Sequence, residues 1–237
     1  MRVRRVEEKM REMQELERRI KARMAKIKHK LAILSGKGGV GKSTIAANLA
    51  VGLAQRGYKV GILDADIHGP SIPKILDLEG QEITVGPNGM LPLAGPFETK
   101  VFSIEFLLDN KETPVIWRGP LKMRALQQFL ADVDWGELDY FIVDLPPGTG
   151  DEPLSIMQLI PSISGVVIVT VPSEVSQIVV KKAITFVRTV NAPLIGVIEN
   201  MSGFVCPNCG SEFNTVSYTH LRAHETRHDL VCRLLLE

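Results

Sequence analysis

The segment Ser35–Thr44 constrains this chain more than any other, because its sequence, SGKGGVGKST, fits a phosphate-binding loop in the context that such a loop needs. The apolar run Leu31–Leu34 just before it predicts a buried strand, and the periodic run Ile45–Leu53 just after it predicts a helix. Glycines at a strand-to-helix turn let backbone N–H groups approach phosphate oxygens, and the helix directs its positive dipole end at the same anion. The sequence therefore predicts a nucleotide site.

Individual residues of the loop have separate expected roles. Lys42 should contact the β- and γ-phosphates of ATP, and Ser43 should ligate magnesium. The residues expected to line the nucleotide are Gly36, Gly38, Gly39, Val40, Gly41, Lys42, Ser43 and Thr44. A glycine turn before an ordinary helix is the alternative, but the complete motif between a strand and a helix argues against it.

Lys37 is a second lysine inside the loop, and ordinary phosphate-binding loops lack it. In this respect the loop resembles the deviant Walker A loop of the MinD/ParA/nitrogenase-iron-protein class, in which this lysine reaches across a dimer to the partner's nucleotide. The resemblance implies a catalytic role for Lys37 in trans, because a lysine is a point charge that can neutralise charge on the transferred phosphoryl group. Hydrolysis would then depend on dimerisation.

Carboxylates follow two further apolar runs. Lys59–Leu63 predicts a strand that leads into Asp64 and Asp66, and Tyr140–Val143 predicts a strand that leads into Asp144. Ligands bind at the carboxyl ends of strands in open α/β sheets. Asp144 has the Walker B position and should hold magnesium through water, Asp64 should lie near the metal, and Asp66 should position or activate the attacking water. A turn-forming role is the alternative for both residues of the first pair.

Several longer segments narrow the resemblance to one family. They occur in the family's order and are Asp64–Pro73, Trp117–Pro120, Trp135–Tyr140, Asp144–Asp151 and Glu199–Phe204. From about Lys28 to Thr215 the chain resembles the Mrp/ApbC-type iron–sulfur cluster carrier ATPases. The resemblance implies an ATP-binding homodimer that holds a cluster and transfers it to apoproteins. We expect iron–sulfur apoproteins and cluster assembly factors as partners, and a cytoplasmic location. The resemblance also places Asn200 against the nucleotide base, where the residues alone would allow a turn residue at a strand end.

Cys206 and Cys209 form a Cys-x2-Cys pair where the family has its cluster ligands. A cubane cluster takes four thiolates, and outside the last stretch of the chain these are the only cysteines. Two chains together would supply four, so the count favours a 4Fe–4S cluster that bridges a symmetric dimer. A zinc ion shared by the same thiolates and a reduced pair without metal remain as alternatives.

The C-terminal segment 216–237 is interpreted separately. The spacing of a Cys2His2 zinc finger is matched by Cys206, Cys209, His224 and His228. However, the segment reads codon by codon as the translation of a transposon sequencing adapter followed by a flow-cell adapter. We therefore interpret it as non-native and expect the native chain to be truncated near Thr215. On this interpretation the histidines should not converge on the cysteines, and the tail leucines should not join the core; these are Leu234, Leu235 and Leu236.

The remaining sequence predicts three parts: an amphipathic charged helical arm over 1–28, a P-loop ATPase domain over 29–215 and the tail. In the second part, strand and helix patterns alternate, which predicts an α/β fold with a mostly parallel sheet and helices on both faces. The resemblance described above implies that this fold is of the MinD/ParA-like P-loop class. The arm is expected to pack weakly on its own domain or to pair in the dimer; nucleic acid, an anionic membrane or a partner helix are alternatives. We expect no membrane span, since no apolar run approaches the ~18 residues of a span. Packing of the arm is favoured over nucleic-acid binding, since charged helical faces are commonplace.

Smaller elements are also predicted. A hairpin is expected within Ile83–Leu93, a strand over Val101–Leu107, and a short strand over Pro114–Trp117 that feeds a helix over Leu121–Val133.

Two functions compete with a cluster carrier. A MinD/ParA-like positioning ATPase has no need for a thiolate pair, and a redox protein like the nitrogenase iron protein has its cysteines far apart in sequence.

Overall fold

The computed structural model describes residues 2–67, 69–107, 119–207, 209–213 and 233–235. Its helices are α1 Arg2–Met24, α2 Lys42–Gln55, α3 Ile72–Ile75, α4 Gly119–Asp132, α5 Asp151–Leu159 and α6 Glu174–Thr189. Its strands are β1 Ile27–Ser35, β2 Val60–Asp64, β3 Val85–Gly86, β4 Gly89–Met90, β5 Leu93–Ala94, β6 Lys100–Ser103, β7 Leu138–Asp144, β8 Gly165–Thr170, β9 Leu194–Glu199, β10 Phe204–Val205, β11 Glu212–Phe213 and β12 Arg233–Leu235.

One large sheet organises the molecule. Eight of the described strands join in the order β12-β9-β8-β1-β7-β2-β6-β5. The strands from β9 to β6 in this order run parallel to one another, whereas β5 and β12 pair antiparallel at the two edges. Strands β2 and β8 are buried along their whole length, as apolar runs covered on both faces should be. The predicted mostly parallel sheet is confirmed.

Helices cover both faces of this sheet, as the alternating pattern predicted. On one face, α4, α5, α6 and the C-terminal half of α1 pack over large aromatic side chains that include Phe102, Trp135 and Phe141. On the other face, α2 packs small side chains such as Ala46 and Ala50 against the strands. The architecture is therefore a three-layer α/β sandwich with the sheet in the middle.

Helix α1 is more firmly attached than the sequence led us to expect. Ile20 and Met24 are fully buried members of the core, and Arg19 forms an ion pair with Asp132 at the end of α4 at 2.5 Å. The expected weak packing is thus wrong for the C-terminal half of the helix, because the apolar stripe finds a matching apolar face on α4. Farther toward the N-terminus, Met13 is 56 % exposed. Among the described helices, none is long and apolar enough to cross a bilayer.

Some of the smaller predictions need correction. The predicted hairpin is present as β3 and β4, but the strand expected over Val101–Leu107 ends at Ser103 and continues as a 3₁₀ turn. Ile104 and Phe106 of this turn are buried. An apolar run in the sequence does not distinguish such a buried irregular segment from a strand. The strand predicted over Pro114–Trp117 lies outside the described residues. The helix predicted after it is α4.

The C-terminal tail contributes one short described strand to the large sheet. Strand β12 pairs antiparallel with the edge strand β9, and Leu234 lies opposite Ile198 in the register. An edge strand has unpaired backbone groups, which accept an extended segment whatever its side chains are. The backbone pairing does not decide whether the tail leucines join the core, so that expectation stays a prediction. His224 and His228 lie outside the described residues, so their predicted separation from the cysteines stays a prediction.

The sheet brings the predicted site residues to one edge. Strand register sets Ile33 of β1 and Asp64 of β2 on either side of Asp144 of β7. The chain first adds strands on one side of β1 and later adds β8 and β9 on its other side. Ligands in open α/β sheets bind outside the carboxyl ends of the strands at such a reversal of strand order.

Candidate nucleotide site and cysteine hairpin

The phosphate-binding loop connects β1 to α2, as predicted. Gly39 and Gly41 have φ angles of 76° and 80°, in the left-handed region that favours glycine. Helix α2 begins at Lys42 with Gly41 at its N-cap, so its free N–H groups open toward the loop. The loop therefore has the backbone that an anion site at a helix N-terminus requires.

Lys42, at the start of α2, forms an ion pair with Asp144, at the end of β7, beside this loop. The Lys42 ammonium donates to Asp144 Oδ1 at 2.5 Å and to the Ser43 hydroxyl at 3.2 Å. Both partners of the ion pair are almost completely buried. The structure thus brings together three residues that the sequence assigned to phosphate and magnesium binding.

Two buried oxygen atoms at this place lack a hydrogen-bond partner within the described part of the chain. They are Asp144 Oδ2 and Ser35 Oγ. Unpaired buried polar atoms are rare in folded proteins and call for an explanation such as an ion or water. Carboxylate and hydroxyl oxygens are hard ligands of the kind that magnesium takes, directly or through water, so the residues present fit a magnesium site.

Asp64 is buried next to Asp144 and holds the loop that follows β2. Its Oδ2 accepts hydrogen bonds from the backbone N–H groups of Ser71 at 3.0 Å and Ile72 at 3.2 Å, and its Oδ1 accepts from the N–H of Asp66 at 3.2 Å. Burial, and after it the charge of Asp144, raises the pKa of Asp64 to about 7, against these hydrogen bonds and the Lys42 charge. Burial also raises the pKa of Asp144, against the opposing effect of Lys42.

Asp64 thus accepts the hydrogen bonds of a turn-forming side chain, as the alternative interpretation expected. It also lies next to Asp144, which is predicted to hold the metal. Asp66 is partly exposed beyond Asp64, and its Oδ1 accepts from the N–H of Gly69 at 3.4 Å. Lys37 is half-buried at the rim of the phosphate-binding loop. The predicted catalytic roles of Asp66 and Lys37 stay predictions.

Asn200, at the end of β9, lies directly against the phosphate-binding loop. Its side-chain amide donates to the carbonyl oxygen of Val40 at 3.0 Å, and its backbone N–H donates to the carbonyl of Thr170 at 2.8 Å. Its predicted contact with the base stays a prediction. The contact with Val40 was not predicted, because the two residues are 160 positions apart.

Cys206 and Cys209 occupy the turn of a short hairpin made by β10 and β11. The N–H of Cys206 donates to the carbonyl of Ser211, and the N–H of Gly210 donates to the carbonyl of Cys206, both at 2.9 Å. Gly210 has a φ of 70°, which closes the turn. Cys206 is half-buried and Cys209 is exposed.

Ser211 is a member of this hairpin that sequence reasoning missed. The Cys209 thiol donates to the Ser211 hydroxyl at 3.3 Å. Hydrogen bonding by Ser211, through its side chain first and its backbone second, lowers the pKa of the Cys209 thiol. Within the described ranges, no group of three or more His, Cys, Asp or Glu side chains is arranged to hold a metal ion. At this hairpin, the described part of one chain therefore presents two thiols, half of the four thiolates that a cubane cluster takes.

Comparison with known proteins relates this arrangement to a family. The sequence model of the ParA family, described as NUBPL iron-transfer P-loop NTPase, matches residues 26–236. An iron–sulfur cluster carrier protein of Saccharolobus solfataricus is 55% identical over 202 residues, covering 85% of this chain and 68% of the relative. A protein of the same name from Methanocaldococcus jannaschii is 58% identical over 191 residues, covering 81% of this chain and 66% of the relative. The chain thus spans about two thirds of the length of these relatives.

A eukaryotic relative and two solved structures extend the comparison. A cytosolic Fe-S cluster assembly factor NUBP2 homolog of Dictyostelium discoideum is 50% identical over 198 residues, covering 82% of this chain and 75% of the relative. The structure of a nucleotide-binding protein from Archaeoglobus fulgidus in complex with ADP has a TM-score of 0.75 at 42% identity, covering 89% of this chain and 84% of that one. The septum site-determining protein MinD from Pyrococcus horikoshii, complexed with Mg-ADP, has a TM-score of 0.53 at 20% identity over 72% of this chain and 69% of that one, so this likeness concerns the fold alone.

Proposed function

The chain belongs to the ParA family of NUBPL-type iron-transfer P-loop NTPases, and from this premise we propose that it binds and hydrolyses ATP and carries an iron–sulfur cluster to apoproteins. The observation that carries the proposal is the hairpin of Cys206 and Cys209, which presents two thiols a few residues after Asn200 contacts the phosphate-binding loop. The names of the archaeal and eukaryotic relatives support both a carrier role and a cytosolic setting.

The nucleotide half of the function begins with an exchange of partners. Lys42 now donates to Asp144, and an arriving phosphate would draw its ammonium away from that carboxylate. Ser43, Asp144 and Asp64 would then hold magnesium, whose charge offsets that of the phosphate oxygens. Asp66 would orient the attacking water, and Lys37 would reach the nucleotide of a second chain, as the resemblance implies.

The cluster half of the function needs two chains. Each hairpin offers two thiols, and a cubane cluster takes four thiolates. A symmetric dimer would bring the two hairpins together around one 4Fe–4S cargo. The exposed position of Cys209 and its lowered pKa suit a ligand that must both accept and release a cluster.

Anaerobic reconstitution of the full chain with iron and sulfide tests this function. We expect iron and sulfide to bind in the ratio of one cubane per dimer, with the visible absorbance of a cluster. Cys206→Ser and Cys209→Ser should each remove this absorbance and leave ATP binding intact, because the hairpin lies outside the phosphate-binding loop. Cys232→Ser is the matched control, since it removes a thiol of the tail and should retain the cluster. Stoichiometric zinc without iron in anaerobically purified protein would contradict the proposal.

The competing function of a positioning ATPase has no specific observation in its favour. The structural relatives of that kind are 20–22% identical to this chain, which supports the shared fold only.

A further inference from the structure

We propose that Asn200 is a positioning residue that couples the phosphate-binding loop to the cysteine hairpin, so that ATP binding changes the access of reagents to Cys206 and Cys209. The inference rests on the proposed function, because it assigns to the nucleotide a direct influence on the cargo ligands. It concerns a mechanical link within one chain, and therefore needs neither a bound cluster nor a dimer to be tested.

The first support is the way in which Asn200 is fixed. Its backbone N–H is tied to the carbonyl of Thr170 at the end of β8, and its side-chain amide is tied to the carbonyl of Val40 in the loop. The residue is only 5% exposed. Because both its backbone and its side chain are hydrogen-bonded, Asn200 cannot follow the loop by a simple rotation of its side chain. A displacement of Val40 must therefore either break a buried hydrogen bond or move the end of β9.

The second support is the peptide plane that Asn200 holds. The carbonyl of Val40 and the N–H of Gly41 belong to one planar peptide unit and point in opposite directions. The N–H of Gly41 is among those expected to turn toward bound phosphate. When phosphate reorients this N–H, the carbonyl on the other side of the same plane must move with it. Asn200 therefore contacts the part of the loop that responds to nucleotide.

The third support is the lack of free space between loop and strand end. A Cβ atom added to Gly41 would lie 2.3 Å from Nδ2 of Asn200 and 3.8 Å from Cε of Met201. Only a glycine fits there without displacing the amide. Because the contact is this close, movement is transmitted as a displacement and is not absorbed by a gap.

The fourth support is the short path from this contact to the thiols. Met201 has a φ of 57°, a left-handed conformation that is unfavourable for a residue with a side chain. Strain of this kind occurs where the chain is held at switches and ligand sites. Strand β10 starts at Phe204 and leads directly to Cys206, where the backbone bonds of the hairpin make the turn move as a unit.

The test measures the alkylation rate of the hairpin thiols by iodoacetamide in the full, metal-free chain, read out by mass spectrometry for each cysteine. We expect saturating Mg-ATP to change the rate at Cys209 by at least about fivefold, the lower end of typical coupling between sites. Asn200→Ala should reduce this change to less than about twofold under the same saturation. Asn48→Ala is the matched control, because Asn48 donates to the carbonyl of Thr44 at 2.8 Å beside the same loop but does not join it to β9.

A second variant keeps the test decisive if Asn200→Ala fails to fold. Two glycines inserted between Gly203 and Phe204 leave Asn200 in place and loosen only the path to the thiols, so ATP should bind as before and lose its effect on alkylation. An unchanged ATP effect in the insertion variant, or no effect in the parent protein when ATP is shown to bind, would overturn the coupling. Failure of cluster reconstitution with an intact ATP effect would instead overturn the carrier function.

Discussion

Three glycines of the phosphate-binding loop provide a graded test of how tightly Asn200 is packed against it. Gly41 has a positive φ and a blocked Cβ position, Gly39 has a positive φ and open space, and Gly38 has open space and no positive φ. Alanine should therefore incur both the backbone cost and the steric cost at Gly41, only the backbone cost at Gly39, and neither cost at Gly38. The backbone conformation is the same kind of constraint in the first two, so their difference isolates the contact with Asn200.

The magnitudes follow from these environments. Gly39→Ala should lower the free energy of unfolding by about 1–2 kcal/mol, the cost of a left-handed conformation for an L-residue. Gly41→Ala should lower the free energy of unfolding by about 1–3 kcal/mol more than Gly39→Ala does, because a displaced Asn200 leaves the buried carbonyl of Val40 without its donor. Gly38→Ala should stay within about 0.5 kcal/mol of the parent protein, as surface changes usually do.

Urea denaturation of the nucleotide-free protein, followed by far-UV circular dichroism, measures these differences. The midpoints should shift without a change in the slope against denaturant, since each variant unfolds the same surface. Equal destabilisation by Gly41→Ala and Gly39→Ala would show that the amide of Asn200 yields without cost, and the argument from close packing would fail.

Three further predictions concern other parts of the molecule. Lys42→Ala should abolish ATP binding measured by calorimetry, whereas Lys37→Ala should bind ATP but release phosphate slowly, and unimpaired turnover by the latter would refute a role in trans. The pKa of Asp64 is raised to about 7 in the folded protein, so between about pH 4 and pH 7 the folded protein holds a proton that the unfolded chain has released. The free energy of unfolding should therefore fall by up to about 1.4 kcal/mol per pH unit as the pH rises through this range. Urea titrations across this range should show a smaller fall for Asp64→Asn than for the parent protein, the remainder coming from Asp144, whose pKa is also raised. Met24→Ala should cost about 2–5 kcal/mol of unfolding free energy because Met24 is fully buried, against less than about 0.5 kcal/mol for Met13→Ala on the exposed part of the same helix.

The parts of the fold that the sequence predicted are those encoded by neighbouring residues. The loop, the strands that carry Asp64 and Asp144, and the helices between strands all follow from local patterns of apolar residues and glycines. Their meeting at one sheet edge follows from the rule that parallel strands end on the same side. The meeting of the loop with these two carboxylates was therefore predictable before any contact between them was known.

What the sequence left open depends on contacts between distant residues. The apolar stripe of α1 is compatible with a free arm or a packed helix, and only the apolar face of α4 decides in favour of packing for Ile20 and Met24. The hydrogen bond from Asn200 to Val40 joins two segments with no shared local pattern. The pairing of β12 with β9 uses backbone groups, which carry no trace in the side-chain sequence.

The ion pair between Lys42 and Asp144 indicates how this site can stay folded without its ligands and still bind them. A buried carboxylate without a partner is strongly destabilising, and here the ammonium of Lys42, which we assign to phosphate, supplies the missing charge. On the proposed function, binding of Mg-ATP would replace one set of charge pairs by another: the phosphate would take over Lys42, and the cation would take over Asp144. Because both side chains are already removed from water, their desolvation is part of folding and does not oppose nucleotide binding.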